Sequence, residues 1–255
     1  MNLTDSYILK FQKGSPILLE DICAIYPPTL GQIVDEGYDN FQSYLSILLT
    51  EKPVLIKDDG LKKLLDNLSD FQYLLVLASA DMEVNQLIKK AFFFFTREQV
   101  SFSLEPAQII IGPLAEKHLL TEDKFQDFKQ IIRKMHFLDD DGDAIIIYED
   151  DDPIVKRTKL KMRENRAKVR RAKEKERRKK KDNLEFSDLI GSVTINNCGL
   201  NMDNIWNITY YAFHDQLKRM GWRDEFNINN RAALAGAKLK QNQLKYWMRS
   251  IANSN

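Results

Sequence analysis

The chain is poor in most residues that carry recognisable chemistry. It has two cysteines, Cys23 and Cys198, three histidines and ten glycines in 255 residues. Two cysteines make no disulfide framework, which suits a reducing compartment. Neither has the basic, His-bearing local context that marks a thiolate nucleophile. His118, His136 and His214 stand at neither an HExxH nor a Cys/His zinc spacing, and a lone histidine on a helix is mostly a packing or surface residue. The glycines are scattered, with neither GxGxxG nor GxxxxGKS/T, so no phosphate-cradling loop is offered. No apolar run approaches the roughly 20 residues of a membrane span. The opening MNLTDSYILKFQKGS lacks a basic region followed by a long apolar core, so no signal peptide is expected. These absences argue for a soluble intracellular protein that is not an enzyme and uses no cofactor or metal.

One acidic turn tests that view. Asp139-Asp140-Asp141-Gly142-Asp143 invites a calcium-loop reading. An EF-hand needs Gly at its sixth position for the sharp turn. With Asp139 first, Gly142 falls fourth and Ala144 sixth, so the frame fails and a plain turn is preferred.

Charge is abundant and unevenly placed. Residues 154–182 hold 16 Lys+Arg against 4 Asp+Glu, a net of +12. The remainder holds 22 (38 − 16) against 33 (37 − 4), a net of −11. The protein is an acidic body with one basic segment. That segment, around MRENRAKVRRAKEKERRKKK, has no Gly or Pro and reads as helix. Glu164–Lys168, Glu174–Arg178 and Glu176–Lys180 are favourable pairs four apart, each adding about 0.2–0.5 kcal/mol. Leu160/Ala167 and Met162/Val169 are seven apart, but the series stops, so neither a coiled coil nor a zipper is supported. No aromatics interleave the run for base stacking. A solvated connecting helix meeting acidic protein surfaces, its own included, is preferred to a nucleic-acid arm.

Apolar periodicity assigns the rest to helices with small β elements, an α+β fold that is mainly α. SYILKF and SPILLEDI read as a leading hairpin about Gly14-Ser15. Thr29 is placed to cap a helical stretch that Gly37 splits in two. The stripe Leu61, Leu64, Leu65, Leu68, Phe71 and Leu75 predicts one helix, and DMEVNQLIKKAFFFFT another, with Phe92–Phe95 buried. VSFSL and AQIIIG predict strands joined at Glu105-Pro106, and DAIIIYEDDDP a further strand. Phe125, Phe128, Ile131, Ile132 and Met135 face inward from a helix. Ser187 is placed to cap a short helix. NMDNIWNITYYAFHDQLKRMGW predicts a long one, and Asn229-Asn230-Arg231 the start of a last one. The aromatics Trp206, Tyr210, Tyr211, Phe213 and Trp222 have two readings, a core stripe and a binding face. The implied organisation is a body over 1–153, a basic helix over 154–182 and a C-terminal helical unit over 183–255.

Two blocks carry a family resemblance. GSPILLEDICAIYPPTLGQIVDEGYDNFQSYLSILL resembles the N-terminal part of tail assembly chaperones of long-tailed phages of Gram-positive bacteria. LNMDNIWNITYYAFHDQLKRM is similar to a second pattern of the same proteins, matched by Asn201, Asn204, Ile205, Trp206, Thr209, Tyr210, Phe213, Asp215, Leu217 and Arg219. The resemblance implies a non-enzymatic role in the bacterial host cytoplasm, absent from the mature particle. Such proteins coat the helical tape-measure protein, keep it soluble and recruit tail-tube subunits. The candidate partner-binding residues are Trp206, Tyr210 and Phe213, with Arg166, Arg170 and Arg171 as electrostatic contacts. Self-association is a further candidate partnership. The alternatives are a nucleic-acid-binding regulator using the basic run and a structural tail or baseplate component.

Overall fold

The computed structural model describes residues 5–51, 68–112, 118–138, 184–196, 199–238 and 246–248, with scattered positions between 152 and 168. The fold is mainly α with small β elements, as the sequence predicts, and the described residues form two small antiparallel sheets. Helix α1 (Asp5–Lys13) leads into a hairpin, β1 (Ile17–Leu19) and β2 (Cys23–Ile25). Helices α2 (Leu30–Glu36), α3 (Tyr38–Leu48), α4 (Asp70–Ala80) and α5 (Met82–Thr96) follow. A three-stranded meander, β3 (Val100–Leu104), β4 (Ala107–Ile111) and β5 (His118–Leu120), precedes α6 (Glu122–Met135). The C-terminal part holds α7 (Phe186–Asn196), a 3-10 turn (Ile205–Asn207) and the 25-residue α8 (Tyr210–Leu234).

Local chemistry accounts for most boundaries. The Thr29 hydroxyl accepts from the Gln32 amide while the Gln32 side chain accepts from the Thr29 amide, a full capping box for α2. Gly37, at φ 90°, ends α2 and starts α3, a backbone state that a side chain would strain. Ser69 and Gln72 repeat the capping box at α4. Val100 pairs with Ile111 and Leu104 with Ala107, so Glu105-Pro106 is the turn, with a cis peptide bond. All five predicted inward residues of α6 are buried. The same helix buries Lys129, whose ammonium donates to the Thr50 carbonyl (3.2 Å) just past the end of α3. A cation there complements the helix dipole while its stem packs.

Several expectations are corrected. YILKF is helix, not strand. A strand would align Tyr7, Leu9 and Phe11, whereas a helix puts Ile8 and Phe11 inward and leaves Leu9 exposed, as found. The hairpin is instead made by ILL and CAI, after Gly14. The 61–75 stripe is not one helix throughout, since Ser69 starts a new one; residues 52–67 lie outside the described residues. In the Phe run, Phe92 and Phe95 are fully buried but Phe93 is 48% exposed, because four consecutive helical residues cannot share one face. Ser187 sits inside α7, where Asp188 reaches back to accept from the Glu185 amide (2.9 Å). Asn229-Asn230-Arg231 does not open a helix but continues α8, since an asparagine costs a helix interior only about 0.7 kcal/mol. The strand read at DAIIIYEDDDP and the Asp139–Asp143 turn fall mostly or wholly outside the described residues.

One hydrophobic cluster holds the molecule. It runs from Phe11 through α2–α6 to Ile190, Val193, Ile205 and Phe213, so residues from both ends of the chain share it.

Candidate functional site

The two sequence blocks at the chain ends meet as the halves of one seam. Asn201 and Asn204 build the approach. The Asn201 carboxamide accepts from the Asp203 and Asn204 amides, and Asn204 accepts from the Asn201 amide. These side chains take up backbone donors and hold a tight turn in place of the helix that periodicity suggests. The chain then passes Trp206, whose carbonyl would lie 3.0 Å from a Cβ added at Gly31. Glycine at 31 is what lets α2 and the 3-10 turn approach this closely.

Thr209 closes the seam. It forms an isolated antiparallel bridge with Thr29; the Leu30 amide donates to the Ile208 carbonyl (2.9 Å) and the Tyr210 amide to the Pro28 carbonyl (2.9 Å). Its hydroxyl accepts from the Ala212 amide (3.0 Å), capping α8, and donates to the Phe11 carbonyl (2.7 Å) at α1. Thr209 therefore ties three elements, α1 and α8 through its hydroxyl and the start of α2 through its backbone. Further along α8, buried Asp215 accepts from Arg219 Nε (3.0 Å) and from Gln12 Nε2 (3.4 Å).

Aromatic rings fill the space behind. Tyr210 lies 5.4 Å from Phe41, 5.3 Å from His136 and 4.3 Å from His214, centroid to centroid. Phe186 stacks on Tyr38 at 4.5 Å and meets Phe213 edge-on at 5.6 Å. Phe11 and Phe137 flank Tyr211 at 5.3 and 4.5 Å. Phe213 is fully buried and Tyr210 is 8% exposed, while Trp206 is half-buried. The first two are held inside the closed seam, and of the three named aromatics Trp206 alone reaches the surface. Arg166, Arg170 and Arg171 lie outside the described residues; the described positions of 154–168 are helical.

Burial sets the electrostatics. It pushes the Tyr210 phenol up, and pushes Tyr211 up to about 12 with help from Asp215. It pulls His136 and His214 down to about 4, against a backbone hydrogen bond at His136 that works the other way. Elsewhere burial, then Glu98, pushes Cys23 up to about 12, so its thiol is not an anionic nucleophile near neutrality. Among the described residues no cluster of His, Cys, Asp or Glu is arranged to hold a metal ion, and no helix is long and apolar enough to cross a membrane.

The outer part of α8 differs from the seam. After Asp215 none of its residues is buried. Leu217 and Met220 still pack against the core, and at 1.5 Å per residue the stretch from 221 to 234 makes about 21 Å of helix beyond them. Trp222, Phe226, Asn229 and Ala233 fall at helical spacing on one stripe, and Ile228 and Leu234 are 67% and 83% exposed. Lys218 sits over the Trp222 ring (5.7 Å), and Tyr246 returns edge-on to Phe226 (5.6 Å). The sequence predicts the end of one helix and the start of another here, whereas α8 runs unbroken to Leu234. The signal was available in RDEFNINNRAAL, which contains neither Gly nor Pro.

Residues 178–252 match a family model described as the second domain of YomV, a phage-associated family. The match spans α7, the seam residues of the C-terminal block and all of α8. No curated protein and no solved structure matches the chain.

Proposed function

We propose that the chain is a non-enzymatic phage tail assembly chaperone that binds the helical tape-measure protein, keeps it soluble and promotes tail-tube assembly. The observation that carries this reading is the outer half of α8. Beyond Met220 the stretch from 221 to 234 is of the length, about 12–15 residues, at which a helix without a packed face is marginal in water. Its aromatic stripe and exposed aliphatics suit a partner that supplies a second apolar helix face. Residues 216–234 carry four Lys+Arg against two Asp+Glu, and the 154–182 segment adds its +12, so an acidic helical surface is the favoured complement. The phage-associated match over the same stretch supports this setting.

In this reading Tyr210 and Phe213 hold the platform, Trp206 rims it, and Arg166, Arg170 and Arg171 supply electrostatic attraction. Co-expression with a long helical protein encoded beside the gene tests the claim. A soluble complex is expected, and the reading fails if the partner is equally insoluble with and without this chain. Tight duplex binding at physiological salt, lost on deleting residues 156–181, would favour the nucleic-acid regulator. Recovery of the chain in purified particles would favour a structural tail component.

A further inference from the structure

The seam contains two groups that packing alone does not explain. His136 ends α6 and is buried; His214 lies one helical turn beyond Tyr210 on α8. Each has a buried Nε2 with no hydrogen-bond partner. His136 Nδ1 lies 2.7 Å from the Ile132 carbonyl. A carbonyl can only accept, so Nδ1 carries the proton and Nε2 is a bare lone pair in the neutral ring. Both rings touch the same Tyr210, one from the body and one from the C-terminal helix.

We propose that this seam is a proton-operated clasp: protonation of His136 and His214 releases α7 and α8 from the body while the rest of the core stays folded. Adding a proton to His136 Nε2 creates a buried N–H with no acceptor, and protonating either ring creates a buried charge with no partner. The two charges would also repel, as the influence of His214 on His136 already indicates. The groups around the pair do not offset this. α3 contributes the rings of Tyr38 and Phe41, α5 that of Phe95, and α7 that of Phe186. On α8, Tyr210 is held neutral and Asp215 is engaged by Arg219 and Gln12, while Lys218 adds a positive charge over Phe137 (6.0 Å). On α6, Arg133 is paired with Glu51.

The sign follows from linkage. Both folded-state values are lowered, to about 4 from 6.5, so the released state binds protons more tightly. The docked state is fully favoured above pH 6.5 and loses ground as pH falls from 6.5 towards 4. At pH 5 each ring shifts the equilibrium towards release about 30-fold, and the two together by on the order of 10³. The clasp does not depend on what α8 binds.

Amide hydrogen exchange on the full chain at pH 7.5 and 5.0, read as protection factors, tests it. α7 and the first turns of α8 should lose protection by on the order of 10³ relative to α4 and α5. The double variant His136→Phe and His214→Phe should retain it at pH 5. Unchanged protection of α8 at pH 5, equal loss in the double variant, or loss spread evenly over the chain would each overturn the clasp. If the double variant does not fold, NMR titration of the wild-type imidazoles decides: docked-state rings neutral down to about pH 4 support it, and ordinary titration near 6.5 overturns it.

Discussion

The two halves of α8 share a backbone and little else. From Tyr210 to Asp215 the helix is fastened by a bridge, a cap, a cross-chain carboxylate and a packed set of rings. From Gln216 to Leu234 it has no buried residue. Aromatics occur in both, Tyr210, Tyr211 and Phe213 in the inner part and Trp222 and Phe226 in the longer outer part. What separates them is burial against the body of the chain: Tyr246 meets Phe226 and Lys218 lies over Trp222, yet no residue of the outer part is buried. The inner part is closed by the body of the same chain, and the part beyond Met220 is where the proposed partner would bind.

Substitutions can break that contrast. Phe213→Ala should be the most damaging, weakening the docking of α7 and α8 on the body by about 3–5 kcal/mol in chemical denaturation, as expected for deleting a buried ring. Thr209→Val keeps the shape but removes a cap and strands the Phe11 carbonyl. A loss of about 2 kcal/mol is expected by the same measurement. Gly31→Ala presses a methyl group against the Trp206 carbonyl and should cost about 1–2 kcal/mol, visible as a lowered Tm. Replacing Phe226 and Ile228 by Ser should change stability by less than about 1 kcal/mol, yet weaken capture of the tape-measure protein at least about tenfold in pull-down titration. Equal destabilisation by the Phe213 and Phe226 changes would erase the distinction.

How much was legible in the sequence follows the same division. Short-range chemistry was readable: Thr29 as a cap, Gly37 as a break, Glu105-Pro106 as a turn and the inward face of α6. Each is decided within a few residues. The seam was not readable as a contact, because Phe11, Thr29 and Thr209 lie far apart in sequence. Both blocks were visible as patterns, but nothing local says that they pair. The core reading of Tyr210 and Phe213 was open beside the binding one, and helical spacing alone could not choose between them. Choosing needs the rings of Phe41, His136 and Phe186, which come from three other elements.

Hydrogen exchange along α8, with and without the proposed tape-measure partner, reads most directly whether the helix changes character beyond Met220. Slow exchange over 210–220 and fast exchange over 221–234 are expected in the free chain, with the outer segment becoming protected when the partner is added. Uniform protection along α8 in the free chain, or an outer half that stays fast while another surface becomes protected, would contradict this expectation.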